Sequence, residues 1–187
     1  MKIGIAGPVT INLLRGLEDR SGLPHGYPHP PLSALVNGLW DRGHELVVYT
    51  TSTNLPEMQI VRAPRLTLCI ARREPQAARD LFRSERCDLV KLMKNHPAEI
   101  LNAHWGYEFG WAALDTGIPT LVTLRDHAST ILRYMPDLYR VMRWLMNSYV
   151  VRRAPYLSTN SQYLYELLPS HHRQKARVIQ NFYPAEL

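Results

Sequence analysis

The amino-acid sequence predicts an α/β protein with a Rossmann-like parallel sheet and helices on both faces. Short, β-branched apolar runs alternate with segments of helical spacing along the whole chain, which is typical of βαβ units. No internal repeat and no interior linker interrupts this alternation. The chain has 187 residues, of which 45% are hydrophobic and 20% charged, so it can bury one complete core. We therefore expect residues 1–187 to form a single domain.

The first half of the chain begins with a predicted strand at Lys2–Ala6, where a β-branched run ends in a Gly-Pro pair. A long loop rich in proline and glycine follows over residues 9–31. Apolar residues at helical spacing then predict a helix over Leu32–Asp41, and Gly43 is placed to end it. The next strand is predicted over Glu45–Thr51.

The middle of the chain is harder to assign. Gln59–Val61 and Leu66–Ile70 both have extended character. Pro75 suits the first turn of a helix, and helical spacing runs from there to about Met93, with a break predicted near Cys87.

The second half returns to a clear alternation. Its strands are predicted at Glu99–Ala103, Ile118–Leu124, Tyr156–Thr159 and Arg177–Gln180. Its helices are predicted at Trp111–Leu114, Asp137–Arg153 and Gln162–Leu168. The whole pattern predicts one parallel sheet of about six or seven strands, joined by right-handed connections.

The balance of charge favours anionic partners. The formal net charge is +6 and the isoelectric point is near 9.5, which fits nucleic acid, anionic lipid or phosphorylated substrates. The arginines are spread along the chain rather than gathered into a tract, so we expect no nucleic-acid surface.

The cysteines and the hydrophobic pattern predict neither a metal site nor a membrane span. Cys69 and Cys87 lie 18 positions apart without a CxxC motif, so we expect no metal, no disulfide framework and two buried thiols. No run of about 18 uncharged apolar residues is present to cross a bilayer, and the N-terminus lacks the long apolar core of a signal peptide. We therefore expect a cytoplasmic protein.

Polar and aromatic residues gather in three loops that follow predicted strands. These loops are residues 7–31, His104–Tyr107 and Arg125–His127. Ligands of an open parallel sheet bind at the carboxyl ends of its strands, above all where the strand order reverses. His, Trp, Arg and Asp pack poorly at strand ends but make good ligand contacts. We therefore expect a binding site at this edge, with His104 and Arg125 close together.

Each of these residues also has a structural interpretation. His104 can be a hydrogen-bonded structural group, and Arg125 and Asp126 can form a local ion pair. Asp126 is also a favourable N-cap for the following helix. His127 has the stronger case for function, because a neutral imidazole can give or take a proton near pH 7. The glycines of the first loop suit a phosphate cradle, but without a GxGxxG motif a flexible loop explains them as well.

Five motifs, in order, resemble those of the family-4 glycosyltransferases. The stretch from Gly26 to Ser33, followed by Asp41–Thr50, resembles their glycine-bearing loop, helix and "RGHEV" strand. The other four are Pro97–Trp105, similar to "PDIIHAHW"; Gly117–Arg125, similar to "GIPVVVTLRGSD"; Arg153–Ser161, similar to "RADYVITVS"; and Lys175–Asn181, similar to "EKVRVIPNG". Their order and spacing hold across nearly the whole chain.

The resemblance implies the N-terminal half of a GT-B fold, in which two Rossmann-like domains enclose a cleft. The N-terminal domain of such enzymes mainly binds the acceptor, and the C-terminal domain mainly binds the nucleotide-sugar donor. Transfer retains the configuration of the anomeric carbon and needs neither a metal nor another cofactor. The partners implied are a nucleotide-sugar donor and a sugar or lipid-linked acceptor.

The resemblance also implies roles for the loop residues. His127, Arg125 and Asp126 are expected at the catalytic centre, where positive charge stabilises the leaving nucleoside diphosphate. The residues expected to bind substrate are Gly26, Tyr27, His104, Trp105 and Tyr107.

The sequence departs from the family pattern in three places. The usual Gly-Gly pair of the first loop is His25-Gly26, Arg125 stands where many members have a histidine, and Asn181-Phe182-Tyr183 replaces "NGVD". The chain ends where the family's interdomain linker begins, so we expect the donor-binding domain to be absent and this chain alone to be inactive. Two alternatives remain: a non-catalytic Rossmann-like module that binds a phosphorylated ligand or a partner chain, and another GT-B enzyme such as a phosphorylase.

The predicted helix Asp137–Arg153 suggests a further contact. It carries several arginines among apolar residues: Arg140, Arg143, Arg152 and Arg153. A basic amphipathic helix can lie on an anionic bilayer, so a peripheral membrane contact is one hypothesis. The alternative, which we favour, is a core helix whose arginines reach solvent on their long stems. The large side chains of this region are expected in the core rather than in a binding site: Tyr134, Tyr139, Trp144 and Met146.

Overall fold

The computed structural model describes residues 1–18, 20–24, 26–53, 55–75 and 77–181. Their strands form one eight-stranded sheet in the order β3-β4-β2-β1-β5-β6-β7-β8. All neighbouring strands are parallel except β3 and β4, which pair antiparallel. The predicted fold class is confirmed, with one more strand than expected and an antiparallel strand at one edge.

The strands and helices have the following bounds. The strands are β1 Lys2–Ala6, β2 Glu45–Ser52, β3 Gln59–Ala63, β4 Leu66–Arg72, β5 Ile100–His104, β6 Thr120–Leu124, β7 Tyr156–Thr159 and β8 Ala176–Val178. The helices are α1 Pro30–Asp41, α2 Arg83–Asn95, α3 Glu108–Leu114, α4 Ala128–Tyr134, α5 Leu138–Arg153, α6 Gln162–Leu167 and α7 Ser170–Arg173.

Helices cover both faces of the sheet, as predicted. On one face, Leu32 and Val36 of α1 pack with Ile3, Ile5 and Leu46 of the central strands. On the opposite face the strands pack against α2, α3 and α5, which contribute Leu89, Phe109, Val150 and their neighbours. Because the central strands are buried on both sides, they are continuously apolar rather than alternating.

Strand β3 is antiparallel for a geometric reason. Only two residues separate Ala63 from Leu66, and Arg65 takes a left-handed conformation with φ 59°. A parallel pair needs a crossover of a dozen or more residues, whereas two residues are enough for a hairpin. The strand alternates between half-buried and exposed residues, as expected for an edge strand with one face toward solvent.

The predicted helix from Pro75 to about Met93 is corrected at its start. Helix α2 begins at Arg83 and runs through Cys87 without a break. The segment before it contains a short 3-10 helix, and the Asp80 carboxylate accepts a hydrogen bond from the Arg83 amide at 3.1 Å. Cys87 is exposed, so the prediction of a buried thiol is wrong there, while Cys69 is buried.

A carboxyl group is buried between α2 and the end of β4. Glu85 lies in the first turn of α2 and is 1% exposed. Its nearest cation is Arg73, at 3.9 Å between Oε1 and Nε. Burial raises the pKa of Glu85 from its ordinary 4.5 to about 8, against the opposing effect of Arg73. Between pH 4.5 and about pH 8, Glu85 therefore keeps its proton in the folded protein and releases it in the unfolded chain.

This buried group makes stability depend on pH. Unfolded Glu85 loses its proton near 4.5 and the folded state keeps it to about 8, so the free energy of unfolding falls as pH rises through this window. One group contributes a slope of up to about 1.4 kcal/mol per pH unit. We expect Glu85→Gln to remove this slope and to raise Tm most at the upper end of the window. Urea unfolding across the window measures it, with exposed Glu57→Gln as the control; a slope unchanged in Glu85→Gln would contradict the assignment.

Candidate functional site

The carboxyl ends of β1, β5 and β6 meet at one edge of the sheet. Arg125, just after β6, donates from Nε to Nδ1 of His104, the last residue of β5, at 3.0 Å. Gly7 follows β1, and a Cβ there would lie 3.0 Å from the Cβ of His104. The predicted proximity of His104 and Arg125 is confirmed, and only glycine lets the first strand end this close to them.

The contact with Arg125 determines which ring nitrogen of His104 carries the proton. A guanidinium only donates hydrogen bonds, so Nδ1 of His104 is the acceptor and the ring proton lies on Nε2. Burial lowers the pKa of His104 well below its ordinary range, and the positive charge of Arg125 lowers it further. Nε2 is buried and has no hydrogen-bond partner among the described residues. The site therefore contains a neutral imidazole with an unsatisfied N–H donor.

The first loop folds back onto the end of β5 through aromatic contacts. Tyr27 and His29 each meet the ring of Trp105 edge-on, with centroids 5.4 Å and 6.3 Å apart, and the Arg73 guanidinium lies 4.5 Å from the Tyr27 ring centroid. Trp105 takes a left-handed conformation with φ 74°, which is strained for a residue with a Cβ. Aromatic packing holds this strained residue beside His104.

Gly26 has a structural role in this loop. It forms an isolated antiparallel bridge with Thr10 and has φ 71°. A Cβ there would lie 2.5 Å from the carbonyl oxygen of Val9. Loop packing is therefore enough to require glycine, and the contact between Gly26 and substrate stays a prediction. The neighbouring His25 and the Phe182-Tyr183 departure lie outside the described residues.

Asp126 is tied to the loop after β5. The Tyr107 hydroxyl donates to Oδ1 of Asp126 at 2.7 Å, and burial raises the pKa of Asp126. Asp126 is not the N-cap of α4, because that position belongs to His127. Nδ1 of His127 lies 2.7 Å from the Thr130 hydroxyl, and burial lowers the pKa of this imidazole.

Four of the predicted site residues line two recesses. One, of about 110 Å³, is lined by His104 and Arg125 together with Asn102, Thr123 and Asn181. Arg125 also donates to the Asn181 side chain at 2.8 Å. The other, of about 160 Å³, is lined by residues from the loop after β5 and from α4 and α5: Tyr107, Asp126, Ala128, Ile131, Tyr139, Arg140 and Arg143. His104 and Arg125 thus line one recess and Tyr107 and Asp126 the other. The remaining predicted site residues line neither: Gly26, Tyr27, Trp105 and His127.

Two residues near this edge were not predicted from the sequence as site residues. His29 is the N-cap of α1 and accepts the Leu32 amide at Nδ1; a histidine before two prolines at a helix start is the one available signal. Arg143 reaches inward from α5, pairs with Glu108 at 2.5 Å and lies 3.4 Å from the Tyr107 ring centroid. Nothing in the sequence distinguishes it from the other arginines of that helix.

Two absences apply to the described part of the chain. None of its helices is long and apolar enough to cross a membrane. Within the same residues, no three His, Cys, Asp or Glu side chains are grouped so that they could hold a metal ion.

Residues 32–187 match the family model described as Glycosyltransferase Family 4. This match covers most of the chain, so the protein belongs to this family, and its sheet and helices are those of a GT-B N-terminal domain. No curated protein is significantly similar to it in sequence.

Two solved structures are similar to this chain at low sequence identity, and the first shows the same fold. One, described as trehalose-6-phosphate from E. coli bound with UDP-2-fluoro glucose, superposes with a TM-score of 0.51 and 8% identity, covering 87% of this chain and 40% of the other. An alpha,alpha-trehalose 6-phosphate synthase from Burkholderia multivorans has a TM-score of 0.49 and 14% identity, covering 88% and 41%. The chain therefore spans about two fifths of the length of these structures.

The Arg143–Glu108 pair offers a test of how this edge is held together. Glu108 is 1% exposed, so Arg143→Met leaves its carboxylate buried without this partner, at a cost of about 3–5 kcal/mol. The double variant Arg143→Met/Glu108→Leu should recover most of that stability in urea unfolding. As a control, Arg153→Met breaks a more exposed pair with Asp115 and should cost less than about 1 kcal/mol. Equal losses for Arg143→Met and Arg153→Met would contradict the buried pair.

Proposed function

We propose that this chain is the acceptor-binding half of a retaining glycosyltransferase that moves a sugar from a nucleotide-sugar donor to an acceptor. The observation that carries the proposal is the Arg125–His104 contact at the carboxyl edge, in a chain whose family match includes both residues. The contact provides a fixed positive charge and a neutral N–H donor side by side. Such groups suit a phosphate oxygen and a sugar hydroxyl respectively.

The two recesses support different roles. In the His104 recess, Arg125 would stabilise negative charge on the leaving nucleoside diphosphate, and Nε2 of His104 would donate to a sugar or phosphate oxygen. In the Asp126 recess, the half-buried carboxylate would accept a hydrogen bond from an acceptor hydroxyl while Tyr107 holds it in place. His127 stands next to Asp126 and would contact the acceptor or the transferred sugar.

The donor and acceptor are proposed by class. The E. coli structure of similar fold holds UDP-2-fluoro glucose, which supports a nucleotide sugar as donor. We propose a sugar or a lipid-linked sugar as acceptor, and cell-envelope polysaccharide synthesis in the cytoplasm as the setting; a lipid-linked acceptor would bring the domain to a membrane surface. Neither a metal nor another cofactor is part of the proposal.

The proposal predicts that this chain alone transfers no sugar. Most of the donor contacts would come from a second, donor-binding domain, so donor and acceptor cannot be enclosed by this domain alone. We expect no product from radiolabelled nucleotide sugars and a panel of acceptors, and we expect turnover once a donor-binding domain is supplied in cis or in trans. Turnover by this chain alone at ordinary enzyme rates would contradict the proposal that a second domain supplies most of the donor contacts.

The proposal also predicts separate effects on kinetics and stability at two histidines. In the complete enzyme, His104→Ala and His127→Ala each remove a hydrogen bond to substrate. Such a bond is worth about 1.5–3 kcal/mol, so kcat/KM should fall about 10- to 100-fold or more. Steady-state kinetics and thermal unfolding are to be measured on the same preparations.

The control for these variants is His171→Ala, since His171 is exposed on α7, away from this edge. It should leave kcat/KM unchanged. A lowered Tm with normal kcat/KM for His127→Ala would remove His127 from the site, and the same result for His104→Ala would make the Arg125 contact purely structural.

A further inference from the structure

Helix α5 is apolar on two opposite sides. Met146 and Val150 are buried in the core. On the other side, Leu138, Val141 and Leu145 are exposed, and their spacing places them along one stripe of the helix. Tyr134 and Met135, at the end of α4, are exposed next to the start of this stripe in sequence. These five residues are called the outer face: Tyr134, Met135, Leu138, Val141 and Leu145.

The outer face is unusual for a helix at a protein surface. The solvent side of such a helix is normally polar, yet Tyr134 and Leu138 are each 75% exposed and Leu145 is 50% exposed. Tyr134 and Trp144 were expected in the core, and that expectation is wrong for both because both are exposed. Single exposed apolar residues need no explanation, but a contiguous group of this kind marks an interaction surface.

Basic residues flank the outer face. Residues 128–153 contain five arginines and a single acidic residue, Asp137. Arg143 and Arg153 pair with Glu108 and Asp115, so the sequence-based view of four membrane-facing arginines is corrected. Arg133 and Arg152 are exposed.

Arg140 occupies an intermediate position on the same helix. Its guanidinium lies 3.7 Å from the exposed Asp137 carboxylate and lines the recess that contains Asp126. Arg133 directly precedes Tyr134, and Arg152 follows Leu145 by two helical turns, so exposed positive charge lies at both ends of the outer face, while Arg140 adjoins the candidate site.

We propose that the outer face docks on an anionic lipid bilayer. Its apolar side chains would enter the region between the headgroups and the acyl chains, and Arg133 and Arg152 would meet lipid phosphates. A second copy of this chain is a poorer occupant, because a two-fold contact would bring the same arginines of both copies together. The exposed positive charge of Arg133 and Arg152 thus favours an anionic surface.

This docking would place the bilayer beside the Asp126 recess, since α4 follows His127 directly and Arg140 lines that recess. Only the biological role of the docking, access to a lipid-linked acceptor, rests on the proposed function. The docking itself requires no donor, acceptor or turnover.

Vesicle flotation of this chain tests the docking. We expect the wild-type protein to float with vesicles of phosphatidylcholine and phosphatidylglycerol, but not with phosphatidylcholine alone, and to be released by high salt. Leu138→Glu/Leu145→Glu should lower the partition coefficient at least about tenfold, because each removes an apolar side chain from the bilayer and adds a negative charge. Arg133→Gln/Arg152→Gln should weaken binding and reduce its salt dependence.

Matched variants outside the outer face control for general effects. Tyr163→Glu changes an exposed apolar residue on α6, and Arg42→Gln/Arg177→Gln removes two exposed arginines elsewhere; both should bind like the wild type. Thermal unfolding confirms that each variant is folded.

Three results would overturn the docking. The first is that the wild-type protein does not bind the anionic vesicles, and the second is that the outer-face variants bind as well as the control variants. The third is that light scattering finds a dimer of the wild-type protein and a monomer of Leu138→Glu/Leu145→Glu. Vesicle binding is measured without nucleotide sugar, so a failed transfer assay with a soluble acceptor would count against the proposed function and leave the docking intact.

Discussion

The parallel pairing of β1 with both β2 and β5 is the constraint on which the rest of the structure depends. It places the reversal of strand order at the centre of the sheet, so the loops after β1 and β5 leave the same edge side by side. This pairing also leaves little space for side chains on β1 and on the residue that follows it. A Cβ on Gly4 would lie 2.3 Å from Leu101, and one on Gly7 would lie 2.6 Å from Leu32. Gly4 in β1 and Gly7 just after it thus leave space for Leu101, for Leu32 and for the end of β5 at His104.

Burial of charge behind this edge is the main electrostatic consequence. Glu108 is paired with Arg143, Asp126 is hydrogen-bonded to Tyr107, and His104 is held neutral by burial and by Arg125. Each group lies where desolvation is costly, so each depends on its partner. The partners come from different elements, and the same contacts that fix protonation states therefore fix the loops relative to one another.

Helix α5 connects the interior of the domain to its surface. Its inner side supplies Arg143, which packs on Tyr107 and so supports the residue that holds Asp126. Its outer side exposes leucines that contribute nothing to the core of this domain. A helix that serves both sides explains why its apolar residues have no single periodic face, and why the sequence could not separate structural arginines from surface ones.

The sequence by itself determined the alternation of strands and helices, and with it the fold class, because buried parallel strands are continuously apolar and the helices between them are amphipathic. It also placed His104 and Arg125 at one edge, since parallel strands end together. The antiparallel edge strand and the late start of α2 were missed, because local turns rather than periodicity decide them. Cys87 was expected to be buried from its residue type alone, whereas the buried side of α2 carries Leu89 and Leu92. Only the tertiary structure decided that Tyr107 rather than a helix N-terminus binds Asp126, that Arg143 turns inward to Glu108, and that Leu138 faces outward. Those choices depend on distances between residues far apart in the chain, and no local pattern contains them.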